Sequence, residues 1–367
     1  MAKDKDVTTF KEAPLLALKG FIMGSADIIP GVSGGTMALI LGIYERLLRA
    51  IKSVDSRAIG HLLKFRFKKI FEVLHWKFIL TVLGGIFTAV IFFTKIVPLQ
   101  VFMYSDPELI YGLFFGLILG SIYILYKALD DHRWLHLLFL AAGILAGYWI
   151  VTLVPTDTPE NPWFIFLSGS VAITAMIMPG ISGSYILLIL RKYSYILSNI
   201  GQLGTESTLD ALLVLIPFGL GALAGLALFS RLLSWLLDTY YSPTLLVLIG
   251  FLVGSLYVIW PYQERTYKTF EQVERTVPVD SELVRELKEN PPDTNQPEYH
   301  KLGDTTTRNG VEYVEYVKVK NKLISSVPYL PYLSEKETPD LPDRRFWEGI
   351  IGMFVGIALV GALERIR

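Results

Sequence analysis

The stretch PGVSGGT at residues 30–36 decides how the rest of the chain is interpreted. It lies inside an apolar run, where a proline followed by several glycines ends a helix. A closely similar stretch, PGISGSY, occurs at residues 179–185, again within an apolar run. The sequence therefore predicts two broken helices, one in each half of the chain.

The composition is typical of a membrane protein. The chain has 367 residues, of which 52% are hydrophobic, and its mean hydropathy is +0.45. Its 34 Lys and Arg residues balance 34 Asp and Glu residues, so we expect no nucleic acid partner. The absence of cysteine excludes disulfides, thiolate metal sites and catalytic thiols. There is no nucleotide-binding glycine loop, so nothing indicates a nucleotide-driven pump. We expect no metal and no cofactor.

The first break divides its apolar run into two pieces, residues 15–29 and 31–43. As helices they would reach roughly 22 and 20 Å, too short for a hydrocarbon core of about 30 Å. Together they predict a re-entrant hairpin over 15–43, with its tip buried in protein or facing a wet cavity. The stretch 46–77 that follows carries nine Lys and Arg residues, which places it in the cytoplasm by the positive-inside rule.

Three spans are predicted after each hairpin. Those of the first half lie at 78–97, 109–126 and 135–154; those of the second, after a hairpin at 163–190, lie at 211–233, 244–260 and 346–363. The motif recurs after 149 residues, and the pattern Gly116, Gly120, Ser121, Tyr123 recurs after 134. Because the first half has an odd number of crossings, the second must be inverted in the membrane, as in many secondary transporters. Chance likeness between apolar stretches is the alternative.

The predicted fold is thus an all-α polytopic membrane protein with a small insert. Residues 1–154 form the first transmembrane repeat, and residues 155–260 with 346–367 form the second, with both termini in the cytoplasm. Residues 261–345 are charged, with helical spacing at 280–290 and a turn at Asn309-Gly310 leading into a strand at 311–319. They predict a soluble α+β insert outside the cytoplasm, or else a partly ordered loop.

The helices that restart after each break begin with small and hydroxyl residues. These are Ser33, Gly34, Gly35 and Thr36 in the first copy, and Ser182, Gly183 and Ser184 in the second. The N-terminus of a helix has unpaired N–H groups and about half a positive charge, and small residues let an anion approach it. Two such ends that arrive from opposite faces predict one site for a phosphate or carboxylate at mid-membrane. Close helix packing alone is the alternative.

Few ionisable residues lie within or beside the apolar segments. Asp27, just before the first break, either caps the restarting helix or carries a coupling proton, and Glu45 is a second coupling candidate. Arg46 and Arg191 follow the two hairpins. Each either attracts a lipid phosphate or simply anchors its helix at the interface.

A catalytic alternative also exists, since residues 31–35 fit the Gly-x-Ser-x-Gly pattern of serine hydrolases. That pattern requires a preceding strand and a histidine base, whereas the preceding segment is predicted as a helix. The five histidines lie in or beside polar connections. A hydrolase also needs only one nucleophile, whereas the motif occurs twice. We therefore expect a transporter rather than an enzyme, and an intramembrane serine hydrolase remains as the alternative.

Three stretches resemble the polyprenyl-phosphate transporter family of bacterial membrane proteins: ADIIPGVSGGT at 26–36, GIYERL at 42–47 and MPGISGS at 178–184. The likeness covers residues 15–260 and 346–363, and the insert at 261–345 looks longer than the family requires. The resemblance implies a flippase in the cytoplasmic membrane. Such a protein returns undecaprenyl phosphate, the carrier lipid of cell-wall assembly, from the outer to the inner leaflet for reuse. Transport of a small anion is the alternative.

Overall fold

The computed structural model is mostly helical and describes all but a few short segments of the chain. The described residues are 8–28, 33–54, 58, 60–61, 64–97, 99–127, 129, 134, 136–294, 296–308, 311–331 and 343–366. The first break at 29–32 lies outside them, as does the predicted turn at Asn309-Gly310.

The described helices are listed here in chain order. They are α1 (Ala13–Asp27), α2 (Gly34–Ile40), α3 (Tyr44–Lys52), α4 (Phe67–Val73), α5 (Trp76–Lys95), α6 (Leu99–Ser105), α7 (Pro107–Lys127), α8 (His136–Val151), α9 (Pro162–Ile177), α10 (Gly183–Ile189), α11 (Tyr193–Gly201), α12 (Thr208–Thr239), α13 (Tyr241–Ile259), α14 (Glu282–Glu289) and α15 (Asp343–Ile366).

Both predicted breaks separate a longer helix from a short one. In each half a helix of 15 or 16 residues, α1 or α9, is followed by a seven-residue helix, α2 or α10, which we call the restarting helices. Asn161 begins α9 as a side-chain cap, with its Oδ1 accepting from the N–H of Phe164 at 2.8 Å. Neither restarting helix is long enough to cross a membrane, because seven residues reach only about 10 Å.

Among the described residues, five helices are long and apolar enough to cross a membrane. They are α5, α7, α12, α13 and residues 345–364 of α15. The span predicted at 135–154 corresponds to α8, an apolar helix of 16 residues that is shorter than these five, and its crossing of the membrane stays a prediction. The span predicted at 211–233 lies within α12, whose 32 residues make it the longest described helix.

The helix before each break packs against the first long helix after it: α1 against α5, and α9 against α12. A Cβ added to Gly20, Gly85, Gly169 or Gly221 would lie under 3.0 Å from a carbonyl oxygen of the facing helix. Those carbonyls belong to Val82, Ala17, Phe218 and Phe166 respectively. The pair α9 and α12 repeats the contacts of the pair α1 and α5. The equivalent residues lie 149 positions apart between α1 and α9, and 136 positions apart between α5 and α12.

The remaining long helices pair between the halves of the chain. Helix α7 of the first half contacts α15 of the second, and α8 of the first contacts α13 of the second. The tight glycine-to-carbonyl contacts are Gly116 to Met353 and Gly356 to Leu113 in one pair, and Gly250 to Leu140 and Gly143 to Val247 in the other. The two helix pairs make equivalent contacts. Each contacting residue of α7 has its equivalent in α13 at a residue number higher by 134, and each contacting residue of α15 has its equivalent in α8 at a residue number lower by 213.

The insert contains a three-stranded antiparallel sheet. Its strands are β1 (Gln263–Pro278), β2 (Glu298–Arg308) and β3 (Val311–Pro328), with β3 between the other two. Helix α14 packs Val284 against Val277 of β1 and Val314 of β3. The predicted helix at 280–290 and strand at 311–319 are thus present, and the α+β interpretation of the insert is confirmed.

The chain divides into two compact units. The first consists of Met1–Val97, Leu113–Ile259 and Met353–Arg367, and holds both broken segments. The second consists of Pro98–Gly112 and Trp260–Gly352, and combines the sheet with α6 and the beginnings of α7 and α15.

Candidate functional site

The two broken segments meet each other. We call residues 33–36 the first tip and residues 176–184 the second tip. Three hydrogen bonds between described residues join the segments: from Ser33 Oγ to the Met176 carbonyl (3.3 Å), from the Tyr44 hydroxyl to the Ile177 carbonyl (3.0 Å), and from the Gly180 N–H to Thr36 Oγ1 (2.8 Å). The structure therefore brings together two stretches that lie 149 residues apart in the sequence.

The first tip is closed by these contacts. The exposed fraction is 2% for Ser33 and 1% for Thr36, and Tyr44 is as deeply buried. A Cβ on Gly35 would lie 2.6 Å from the carbonyl oxygen of Ile177. The first tip thus needs a glycine here because the backbone of the second tip lies against it.

Asp27 occupies the beginning of α2. Its Oδ1 accepts the N–H of Gly34 at 2.6 Å, and a Cβ on Gly34 would collide with the same carboxyl group. The N-cap residue Ser33 accepts the N–H of Gly35 at 3.2 Å. Asp27 thus has the position that the capping alternative predicts. Its carboxylate lies at the N-terminus of α2, where a negative charge is favourable.

The second tip is differently arranged. Ser182 is the N-cap of α10, yet within the described part of the chain its side chain makes no capping hydrogen bond. Instead its Oγ lies 2.8 Å from Ser184 Oγ, and Ser184 is exposed. Gly183 lies against the carbonyl of Ala172 in the preceding helix. The second tip thus presents two hydroxyl groups beside the first turn of α10, where helical N–H groups have no partner within the helix.

The charged residues predicted near the hairpin ends pair with residues outside the two tips. Arg46 Nη2 donates to Thr8 Oγ1 at 2.8 Å and lies 3.5 Å from Glu12 Oε2. Glu45 lies 3.7 Å from Arg49, one turn along α3. The exposed Arg191 side chain pairs with Asp157 at 2.6 Å. The contacts that join the tips do not include these three residues.

Sequence reasoning missed Tyr44 as a residue of this junction. The signal was available, because Tyr44 recurs as Tyr193 at the same separation as the motif itself. Among the described residues, Tyr193 makes no equivalent hydrogen bond, and it is exposed on α11.

The family described as undecaprenyl phosphate translocase-like matches residues 23–277, which include both tips. The chain belongs to this family. The resemblance predicted from the motifs is thereby confirmed. The match ends within β1, so α14, β2, β3 and α15 lie beyond it.

Two relatives are named polyprenyl-phosphate transporter. The relative from Vibrio cholerae serotype O1 is 37% identical over 247 residues, which cover 67% of this chain and 77% of the relative. The relative from Staphylococcus aureus is 31% identical over 257 residues, which cover 66% of this chain and 85% of the relative. No solved structure matches the chain. Membership of this family, together with the five apolar helices, makes the chain a polytopic membrane protein of a transporter family.

Proposed function

We propose that this protein transports undecaprenyl phosphate from the outer to the inner leaflet of the bacterial cytoplasmic membrane, and so returns the carrier lipid for reuse in cell-wall assembly. The observation that carries the proposal is the junction of the two tips, in a chain whose relatives are named polyprenyl-phosphate transporters. A phosphate headgroup cannot cross hydrocarbon unaided, because an isolated charge is very costly there. Donors fixed within the membrane replace the water that the headgroup gives up.

The headgroup binds mainly at the second tip in this proposal. At the first tip, Asp27 and Ser33 accept the N–H groups of Gly34 and Gly35, and a carboxylate there repels a phosphate. The Ser182 and Ser184 hydroxyls, together with the first turn of α10, supply donors that an anion can use. The predicted binding residues of the tips thus divide into two groups: those of the first tip hold the junction, and those of the second bind the phosphate.

Asp27 is the proposed coupling residue. A doubly charged phosphate at the second tip and an ionised carboxylate on the adjoining segment repel each other, and a proton on Asp27 removes part of that repulsion. Glu45 is the less suitable candidate, because its described partner is Arg49 on its own helix. Uptake of one proton with each lipid would let the proton gradient drive transport.

Alternating access, in this proposal, comes from an inverted repeat. Residues 1–154 and residues 155–260 with 346–367 are the two repeats, and 261–345 lie outside the cytoplasm. The repeated glycine contacts support this division, since α1 with α5 matches α9 with α12, and α7 with α15 matches α13 with α8. Two equivalent halves that meet at their broken tips can rock about a headgroup bound between them.

The test measures transport in proteoliposomes made with polyprenyl phosphate, as the rate at which the lipid phosphate becomes protected from an added phosphatase. The double substitution Ser182→Ala with Ser184→Ala should slow transport at least about tenfold, because each hydrogen bond to a charged group is worth roughly 1.5–3 kcal/mol. Ser194→Ala, at an exposed serine of α11, is the matched control. Wild-type rates in the double variant would remove the second tip from the binding site.

The same vesicles distinguish the alternatives. Transport of a small anion would appear as uptake of inorganic phosphate in liposomes without polyprenyl phosphate. A hydrolase would release product and would be labelled at Ser33 by a serine-reactive probe. The geometry disfavours the hydrolase, because Ser33 donates to a backbone carbonyl and accepts a backbone N–H, and no histidine is among its described hydrogen-bond partners.

A further inference from the structure

A buried charged pair lies in the unit that carries the sheet. Glu108 belongs to the first turn of α7, and Arg265 is the third residue of β1. Each side chain is only 6% exposed. Arg265 Nη1 lies 3.8 Å from Glu108 Oε1, which is too far for a hydrogen bond. The two charges are therefore close but share no hydrogen bond.

The remaining contacts of the pair leave polar atoms unused. Arg265 Nη2 donates to the Pro261 carbonyl at 3.2 Å, and the guanidinium lies 4.5 Å from the centre of the Tyr111 ring. Two buried atoms, Arg265 Nε and Glu108 Oε2, have no hydrogen-bond partner among the residues that the structure describes. Buried polar groups are nearly always paired, and an unpaired charged one costs more than about 1–3 kcal/mol. Such a pair is suited to hold a further group.

The chemistry of the cluster points to an anion with several oxygens. The Tyr111 ring covers one face of the guanidinium, and the Nε–H group at its edge has no described hydrogen-bond partner and remains for recognition. Planar N–H groups of arginine match the oxygens of a phosphate or carboxylate. Glu108 faces the same guanidinium but makes no hydrogen bond to it, so the carboxylate does not occupy the N–H groups.

We infer that Arg265 forms a loading site for a phosphate monoester, and that Glu108 holds the guanidinium when the phosphate is absent and is displaced when it binds. This inference rests on the proposed function, and it concerns residues other than those of the tips. By the positive-inside rule, the connection 98–108, which has no Lys or Arg, lies outside the cytoplasm, on the side where the proposed transport begins.

The experiment measures affinity of the full-length protein for two probes, polyprenyl monophosphate in mixed micelles and inorganic phosphate. Glu108→Gln should bind about tenfold more tightly, because the competing charge is removed, and Arg265→Gln should bind at least about tenfold more weakly. Arg285→Gln, at an exposed arginine of α14, is the control for loss of a positive charge. Opposite effects at Glu108 and Arg265 cannot come from misfolding, which would weaken binding in both variants.

The two probes separate the sources of the phosphate. The opposite effects with the lipid alone identify a headgroup site, and the same effects with inorganic phosphate identify a general phosphate site. Unchanged affinity for both probes in both variants, or a loss in both, would overturn the inference. In that case a transport defect of the Ser182→Ala and Ser184→Ala variant would still stand, so the two proposals fail separately.

Discussion

Residues 42 and 191 occupy the same position in two copies of one turn. Gly42 ends α2 with a φ of 68°, while its N–H donates to Leu39 and the next N–H to Ala38. Arg191 ends α10 with a φ of 50°, and the equivalent N–H groups donate to Leu188 and Leu187. This pattern usually has glycine at its left-handed position. At residue 191 a side chain occupies a backbone conformation that costs about 1 kcal/mol or more.

Replacement of Arg191 tests this strain. Arg191→Gly and Arg191→Ala both remove the exposed ion pair with Asp157, but only glycine removes the strained Cβ. We expect the glycine variant to be more stable than the alanine variant by about 1 kcal/mol, measured by unfolding in detergent. Equal stabilities would show that the turn relaxes without cost. Equal loss of transport in both variants would instead show that the Arg191 side chain takes part in binding the lipid.

At the scale of helices, close packing depends on glycines with carbonyls of the facing helix directly against them. Gly116 faces Met353, and Gly250 faces Leu140, at equivalent places of two helix pairs. Gly219 of α12, by contrast, would have nothing within 4 Å of an added Cβ. Small residues let helix backbones approach in membranes, where dispersion and weak polar contacts hold helices together.

Alanine substitutions test the equivalence of the two helix pairs. Gly116→Ala and Gly250→Ala should each lower the free energy of unfolding by about 1–3 kcal/mol, because the helices must separate to admit the methyl group. Gly219→Ala should be neutral or stabilise by up to about 1 kcal/mol. A neutral effect at Gly116 together with a large one at Gly250 would contradict the repeat.

The stability of the sheet depends on pH through Glu298 and Lys318. Burial acts to raise the pKa of Glu298, but hydrogen bonds from Lys318 and Lys320 outweigh it and hold that pKa below its ordinary value. The hydrogen bond to Glu298 raises the pKa of Lys318. The stabilising contribution of Glu298 is therefore lost as the pH falls through its lowered pKa, and that of Lys318 is lost as the pH rises through its raised pKa.

Hydrogen exchange in β2 and β3 of the full chain measures this dependence. Protection factors should stay constant between the ordinary pKa values of the two groups, 4.5 and 10.5, and should fall only outside that range. Lys318→Met should move the acid limit upwards, because Glu298 loses one of its two donors. An acid limit that does not move would show that Lys320 alone sets the pKa of Glu298.

Local pattern predicted the broken helices, the long apolar helices and part of the insert, but not the contacts between them. The glycine clusters correctly located the beginnings of α2 and α10, since a backbone break leaves a local signal. The hydrogen bonds that join Ser33, Tyr44 and Thr36 to the second tip depend on tertiary structure, and no local pattern contains them. The strand β1 was missed because Tyr267, Phe270 and Val273 recur every third residue, and pairing with β3 overrides that spacing.

For the whole molecule, the central prediction is that the two halves are inserted in opposite directions. The chain has no cysteine, so a single introduced cysteine reports its own side of the membrane. A cysteine at Lys288, exposed on α14, should react with an impermeant maleimide in intact cells. One at Lys68, exposed on α4, should react only after permeabilisation. Protection of position 288 in intact cells would place the insert in the cytoplasm and contradict the proposed topology.

The most direct measurement is a structure of the protein determined in complex with polyprenyl phosphate. We predict that phosphate oxygens lie within hydrogen-bonding distance, about 2.5–3.2 Å, of the Ser182 and Ser184 hydroxyls. The Asp27 carboxyl would remain at the beginning of α2, where it accepts the N–H of Gly34. A headgroup located away from both tips, with the hydroxyls of Ser182 and Ser184 still paired to each other, would contradict the account.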